Sequence, residues 1–386
     1  MKRRTFCFSL LQGFYFLGAC LVYSYTERLL LYHGFSTGAI GAILAASYLF
    51  AMVVQPLLAA AADRGRRMTL RLGITAVALL SAVLAVSARI GGNAPVVFAA
   101  LLGALSGVTL TVQPLINAAG FSYINRGLDL DYSFARGVGS VVYAFASLLF
   151  GALAASRIDS MLWVFAAAQI GLFFTAIFFA PHREGVTVQE TGGSLSDVFR
   201  RYPRFVLFCV GNLVLIVPHM VINSYLASIT NITGGDMSVM IAIAALVEFP
   251  AMTAYSHIRK RIPDRVLLVA SASVYLLKTG LLLFAAFLPI GAWAVYISFA
   301  LQMLCYAIFV PASSYYANDV VSERDRVKGQ MLLTEAGLAA GVVSMLLGGL
   351  SIEHFGVGVT LILSELFVAA GVFIVWLGVR KRKQKA

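Results

Sequence analysis

Charged side chains are scarce in this chain of 386 residues, where Asp, Glu, Lys and Arg make up 12%, against about 25% in a typical soluble domain. Hydrophobic residues make up 60%, so a water-soluble fold is excluded. Cysteine is also rare. The four cysteines all fall in apolar runs and lack the spacing of a disulfide framework or a zinc site. We therefore interpret them as packing residues: Cys7, Cys20, Cys209 and Cys305.

Histidine is equally sparse, and this bears on enzymatic function. The five histidines are scattered, and no His-Glu-x-x-His or Gly-x-Ser-x-Gly string occurs. A membrane enzyme would need a nucleophile with a base, or metal ligands, at workable spacing. No re-entrant filter or ring of charges typical of a channel is visible either. The sequence thus predicts neither an enzyme nor a channel, and no cofactor or metal.

The net charge of +12 does not indicate a nucleic-acid partner. Such a partner requires basic residues gathered on one soluble face, whereas here they lie in short gaps between apolar runs. The N-terminal segment imitates a signal peptide, with basic residues before an apolar run. Because many further apolar runs follow, we interpret this segment as the first membrane helix. The predicted partner is the lipid bilayer.

Long apolar runs dominate the rest of the sequence. Each is near the length of about 20 residues that crosses about 30 Å of hydrocarbon. They predict an all-α membrane protein with twelve transmembrane helices in two six-helix bundles, namely an N-terminal bundle at 1–180, a cytoplasmic loop at 181–204 and a C-terminal bundle at 205–386. The predicted helices are 5–31, 37–61, 69–88, 95–121, 132–155 and 161–180, then 205–229, 238–257, 266–288, 291–313, 329–350 and 357–379.

The distribution of basic residues predicts the orientation. An even number of spans puts both termini on one side, and nearly all of the 29 Lys and Arg residues fall on that side. Only Arg28, Arg89 and Arg157 fall on the other, while Arg136 and Lys278 lie inside helices. Positive residues are retained in the cytoplasm. We therefore predict a multi-pass protein of the cell membrane, in bacteria the inner membrane, with cytoplasmic termini.

The two halves also repeat each other. The basic loop at 63–67 recurs as the basic turn at 259–265, and the glycines with one charge near Arg136 recur near Glu335. Parallel six-helix repeats of this kind are typical of transporters that work by rocking.

The loop Asp63-Arg64-Gly65-Arg66-Arg67 resembles the signature between helices two and three of the major facilitator superfamily, approximately Gly-x-x-x-Asp-Arg-x-Gly-Arg-Arg. Here Ala59 replaces the first glycine, and the loop is one residue shorter. The resemblance covers the whole chain. It implies conformational switching, rather than binding, for Asp63, Arg64, Arg66 and Arg67.

Within that superfamily the chain is most similar to the lactose-permease-like oligosaccharide:proton symporters and their nucleoside-transporting relatives. The strings that carry this resemblance are Gln55-Pro56-Leu57, Ala135-Arg136 with Tyr143, Asn223-Ser-Tyr225, and Glu248. The chain lacks the carboxylate that this family has on helix four, and Ile124 stands near its place. The helix-ten His and Glu of lactose permease have no counterpart around Cys305. The resemblance implies a monomeric importer of a sugar or nucleoside coupled to protons, with lactose itself disfavoured.

Charged residues deep in the predicted helices are the first candidates for function, because an ionisable group at the bilayer centre costs about 2.5 to 3.5 kcal/mol. Glu248 and Lys278 fall near the midplane, where we expect them to form a pair. That pair either binds substrate and the coupling proton or closes the C-terminal half structurally. Glu335 either complements Arg136, with a part in proton coupling, or caps the start of its helix.

Polar and aromatic residues in the helices are the other candidates. Arg136 offers five donors, and Tyr143 lies seven residues on, on the same helix face, to stack against a ring. The alternative for Arg136 is an interfacial side chain that reaches the cytoplasm. For the rest, a polar cavity competes with hydrogen bonding between helices or plain packing. The predicted substrate-binding residues are Tyr23, Gln113, Asn117, Arg136, Tyr143, His219, Asn223, Glu248 and Gln302.

Drug or metabolite efflux is the main alternative within transport. Proton antiporters of the superfamily that the chain resembles carry a Gly-Pro-rich motif on helix five, and here that helix has no proline. The absence of this motif therefore favours import over efflux.

Overall fold

The computed structural model describes residues 3–63, 70–91, 94–179, 195–289, 291–322 and 325–380. Six helices form the N-terminal half. They are α1 (Arg3–Tyr32), α2 (Thr37–Asp63), α3 (Leu70–Gly91), α4 (Pro95–Leu110 and Val112–Asn125), α5 (Tyr132–Ser156) and α6 (Met161–Phe179). A short helix, Leu195–Arg201, follows within the predicted central loop.

Six further helices form the C-terminal half. They are α7 (Pro203–Ser224 and Leu226–Thr233), α8 (Met237–Ile258), α9 (Asp264–Phe287), α10 (Ala292–Ala300 and Tyr306–Val320, joined by a 3-10 turn at Leu301–Met303), α11 (326–355) and α12 (357–379). The order and number agree with the twelve predicted helices. The short helix Leu195–Arg201 packs on this half through the buried side chain of Val198.

The last two helices run together as one segment, Arg326–Val379, of 54 residues. At 1.5 Å per residue such a helix is far longer than the roughly 30 Å of hydrocarbon. Gly356 breaks it, with φ 79° and ψ 170°, a conformation that L-residues rarely adopt. By length and composition, the described residues hold 11 candidate spans. The break at Gly356 divides the last of them into two, which gives twelve crossings.

Arg3 and Arg380, the first and last described residues, lie at one end of the bundle, which we call the terminal side, and the opposite end is the far side. On the far side one continuous apolar core joins the two halves, from Leu29 and Phe150 to Tyr225 and Leu361. On the terminal side each half has its own core, around Phe8 and Ile74 in one and around Phe208 and Phe309 in the other. The halves are therefore packed together at the far side and separate at the terminal side.

Glycine makes a close approach between the halves possible. Helices α2 and α11 meet at Gly41 and Gly349, where a methyl group on Gly349 would lie 2.9 Å from the Gly41 Cα atom. The hydroxyl of Tyr225 occupies the space beside both glycines and donates to the Met345 carbonyl at 2.6 Å. Any larger residue at either glycine would push α2 and α11 apart.

Candidate functional site

A cavity of about 480 Å³ lies between the two halves. Helices α1, α2, α4 and α5 form one wall, and α7, α8, α10 and α11 form the other. Its volume falls within the range of about 300 to 1,000 Å³ that is typical of small-molecule sites.

All but one of the predicted substrate-binding residues line this cavity. They are Tyr23, Gln113, Arg136, Tyr143, His219, Asn223, Glu248 and Gln302. The exception is Asn117, which is not among the residues that line the cavity. It lies one helical turn beyond Gln113, toward the terminal side, and its Oδ1 accepts from the Tyr132 hydroxyl at 2.9 Å. Asn117 thus joins α4 to the start of α5, which is the interhelical alternative.

Arg136 supplies positive charge to the N-terminal wall. Its Nη1 lies 3.4 Å from the Ser140 hydroxyl, and its guanidinium carbon lies 4.2 Å above the ring of Phe16. Within the described part of the chain, no carboxylate forms an ion pair with it. Most of its five donors therefore face the cavity without a protein acceptor.

An irregular turn in α1 places two polar groups beside this cation. Residues Leu21–Tyr25 form a π-helical turn, a local widening that is frequent at functional sites. Tyr23 and Ser24, both in this turn, line the cavity. The Ser24 hydroxyl lies 2.8 Å from the hydroxyl of Tyr143 on α5. Tyr143 is thus held in place, with its ring available on the cavity wall.

The C-terminal wall carries a chain of three side chains. Lys278, which is 1% exposed, donates to the Oε1 atom of Gln302. The Nε2 atom of Gln302 donates to Glu248 Oε1 at 3.0 Å. The expected direct pair of Glu248 and Lys278 is therefore wrong, because no ion pair joins them among the described residues. The amide of Gln302 has a donor at one end and an acceptor at the other, so it links the two charges across α8, α9 and α10.

Aromatic rings complete the C-terminal wall. The His219 ring stacks on Tyr306, with centroids 4.7 Å apart and an interplanar angle of 16°. Asn223, one turn along α7, donates from Nδ2 to the His219 carbonyl at 2.8 Å. The wall thus offers a flat aromatic surface next to an amide.

Proline shapes the opposite side of the cavity. Pro114 lacks an N–H, so the carbonyl of Leu110 has no helical donor. The Nε2 atom of Gln55 on α2 donates to this carbonyl at 3.0 Å. Both Gln55 and Pro114 line the cavity. A helix break in α4 is thus stabilised by a side chain from the neighbouring helix.

The comparison with known proteins agrees with this architecture. The family model described as Major Facilitator Superfamily matches residues 6–299 and 219–386. The chain belongs to this superfamily. It is a membrane transporter that binds small molecules, rather than an enzyme. No curated protein sequence gives a significant match to this chain.

Two solved transporters show the same fold at low sequence identity. The nucleoside transporter NupG superimposes with a TM-score of 0.80 at 16% identity, covering 99% of this chain and 100% of that one. The D-xylose-proton symporter superimposes with a TM-score of 0.73 at 12% identity, covering 96% of each chain.

Sequence reasoning about this transporter missed several lining residues, among them Phe16, Ser24, Tyr48, Ser140, Tyr306 and Thr334. Ser140 lies one turn from Arg136 on the same helix face, so helical periodicity could have found it. No sequence signal marks the π-helical turn that places Ser24 on the cavity wall. Gln55 was predicted only as part of a string that resembles the lactose-permease-like family, not as a binding residue. It also lines the cavity.

The remaining predicted residues lie elsewhere or outside the description. Glu335 is ten residues into the helix that begins at Arg326, so it does not cap that helix, and none of the ion pairs among the described residues joins it to Arg136. It is half-buried beside the lining residues Thr334 and Gly337. Arg64, Arg66 and Arg67 lie outside the described residues, as does the side chain of Asp63. Among the described residues no cluster of His, Cys, Asp or Glu suits a metal ion.

Proposed function

We propose that this transporter imports a sugar or a nucleoside together with protons, by alternating access and with both termini in the cytoplasm. The observation that carries the proposal is the composition of the cavity. It combines an unpaired cation, a carboxylate and several amides with the flat rings of Tyr143 and Tyr306. Hydroxylated rings and nucleobases need both hydrogen bonds and stacking surfaces.

The placement of charge within the cavity supports a polar, uncharged solute. Arg136 stands on the N-terminal wall and Glu248 on the C-terminal wall. A solute with several hydroxyl groups offers acceptors to the guanidinium and donors to the carboxylate at once. Such a solute would connect the two halves, as alternating access requires of the substrate. The similarity in fold to a nucleoside transporter and a xylose symporter is consistent with both solute classes.

The packing of the halves supports an inward-facing conformation. The common core lies at the far side, and the separate cores lie at the terminal side. Because basic loop residues are retained in the cytoplasm, the charge distribution supports a cytoplasmic position for the terminal side. The cavity is then closed to the outside and accessible from within.

The Glu248–Gln302–Lys278 chain supports proton coupling. Burial disfavours the charged carboxylate, whereas a nearby cation favours it. Rocking of the halves changes the distance from Glu248 to Arg136, which lies on the other half, while Lys278 stays on the same half. The balance between the charged and the neutral form of the Glu248 side chain therefore differs between the two conformations. A proton bound in one conformation is released in the other.

Reconstituted protein tests this proposal. Uptake of labelled nucleosides, monosaccharides and disaccharides into proteoliposomes is measured with and without an acidic exterior. Glu248→Gln keeps an acceptor for Gln302 but removes the titrating group, so we expect loss of gradient-driven accumulation and retention of solute exchange. The control is Glu365→Gln, which changes a carboxylate that accepts from Thr279 outside the cavity. If Glu248→Gln still concentrates solute, Glu248 is structural and Glu335 is the next candidate for coupling.

A further inference from the structure

A buried carboxylate crosses from one half to the other at the far side. Glu27, on α1, is 1% exposed. Its Oε2 atom accepts from the backbone N–H of Ala227 at 3.0 Å, and its Oε1 atom accepts from the N–H of Ser228 at 3.3 Å. The Ser228 hydroxyl also donates to Oε1. Three donors of the C-terminal half thus meet one carboxylate of the N-terminal half.

These donors belong to the start of a helix. Leu226–Thr233 follows the break at Tyr225, which provides no side-chain cap. The first N–H groups of a helix have no intrahelical acceptor and carry partial positive charge. A side-chain oxygen from the residue just before the helix usually accepts from them, and a negative charge is favourable there. Here the other half of the protein supplies it.

A second carboxylate makes the reciprocal crossing. Glu353, near the end of α11, accepts from the backbone N–H of Gly38 at 2.5 Å. Gly38 lies in the first turn of α2, which begins at Thr37. Each half therefore places one carboxylate on a helix start of the other. The two contacts differ in burial: the Glu353 side chain is exposed to solvent, whereas the Glu27 side chain is buried.

We propose that Glu27 and Glu353 form the outer gate of this transporter, and that Glu27 is its principal positioning residue. This inference rests on the proposed alternating-access function. Opening of the far side separates both carboxylates from their helix starts. Glu27 contributes more, because water screens the exposed Glu353 contact in both conformations. Neither residue lines the cavity, so their effect is on the conformational equilibrium and not on solute contacts.

The effect of Glu27→Gln on the opening of the far side follows from the three donors of Ala227 and Ser228 that the carboxylate accepts from. A glutamine has one acceptor oxygen, and its NH₂ group would face a helix-start N–H or the Ser228 hydroxyl. At least one buried donor then lacks an acceptor in the closed state, whereas water satisfies it in the open state. The crossing bond from the Ser147 hydroxyl to the Ser238 carbonyl, 2.7 Å long, remains. We expect the ratio of far-side-open to far-side-closed molecules to rise about tenfold, because a hydrogen bond to a charged group is lost.

Distances between spin labels at the far side measure this ratio without any solute. Labels replace Tyr32 on α1 and Phe355 at the end of α11, each 66% exposed, in a background where Cys7 is serine and the other, buried cysteines stay. We expect a larger population at long distance in Glu27→Gln, a smaller increase in Glu353→Gln, and none in the control Glu365→Gln, whose partner Thr279 lies in the same half.

A double-mutant cycle with Ser228→Ala separates the contact from general destabilisation. Alanine removes only the hydroxyl donor, so it should shift the distances in the same direction and add little to Glu27→Gln. If Glu27→Gln does not fold, Ser228→Ala decides the question alone. If the label distances are unchanged in whichever of these variants folds, the proposal that Glu27 and Glu353 form the outer gate is wrong. The result is independent of the solute and of proton coupling, so failure of the uptake experiment leaves it intact.

Discussion

Removal of the amide bridge between Lys278 and Glu248 should destabilise the protein more than removal of the lysine itself. Lys278 is 1% exposed, and Gln302 supplies its acceptor. The ring of Phe299 also lies near the ammonium group, with its centroid 5.3 Å from Nζ. Gln302→Leu therefore leaves a buried ammonium group without an acceptor.

The magnitudes follow from the cost of buried groups. A buried charge that loses its partner costs about 3 to 5 kcal/mol, which is the expectation for Gln302→Leu. Lys278→Met removes the charge and leaves only the neutral Gln302 oxygen unpaired, at about 1 to 3 kcal/mol. The double variant should regain part of the loss, because it no longer contains the buried ammonium group. We expect a coupling free energy of about 2 kcal/mol between the two sites.

Unfolding in mixed micelles, followed by the fluorescence of the three tryptophans, measures these differences. The control is Gln330→Leu, because the Gln330 amide donates to two neutral oxygens, of Ser314 and Asn318, at 2.7 and 2.9 Å. Its loss should cost about 1 kcal/mol. The reasoning is refuted if Lys278→Met is the more damaging change, or if the double variant is as unstable as the sum of the single ones.

Two further predictions concern solute binding and a helix cap. Arg136→Lys should weaken solute binding about tenfold in a binding or exchange assay, since an ammonium lacks the fork of donors, whereas the exposed Arg89→Lys should change nothing. Asp236 caps α8 by accepting from Ser238 and Val239, and the Ser238 hydrogen bond holds the pKa of this carboxyl below its usual 3.8. Asp236→Ala should lower the free energy of unfolding by about 1 kcal/mol at neutral pH. That difference should shrink as pH falls below 3.8, because a lowered pKa stabilises only while the carboxylate is ionised; a constant difference down to pH 2 would contradict this.

Helix existence was predictable from sequence because the bilayer imposes it. Each crossing must bury its backbone polar groups in a helix and present about 20 apolar residues. The break between the last two helices was found from the same hydropathy, although the chain there passes through Gly356 without a loop. The helix ends and the irregular turns were not predictable. At the π-helical turn Leu21–Tyr25, α1 contacts α5 through the Tyr25 hydroxyl, which donates to the Ser147 carbonyl at 2.7 Å.

Residue type and depth, read from the sequence alone, determined the fold class and identified eight of the residues that line the cavity. A polar group in a membrane helix must find a partner or a cavity, and this rule selected residues such as Arg136 and Glu248. Only the tertiary structure decided which partner each group finds. In the structure Asn117 accepts a hydrogen bond from Tyr132, and Gln302 lies between Lys278 and Glu248. Glu27 accepts from a helix start of the other half. These contacts join residues far apart in sequence, and helical periodicity specifies a face but not the neighbour that the face meets.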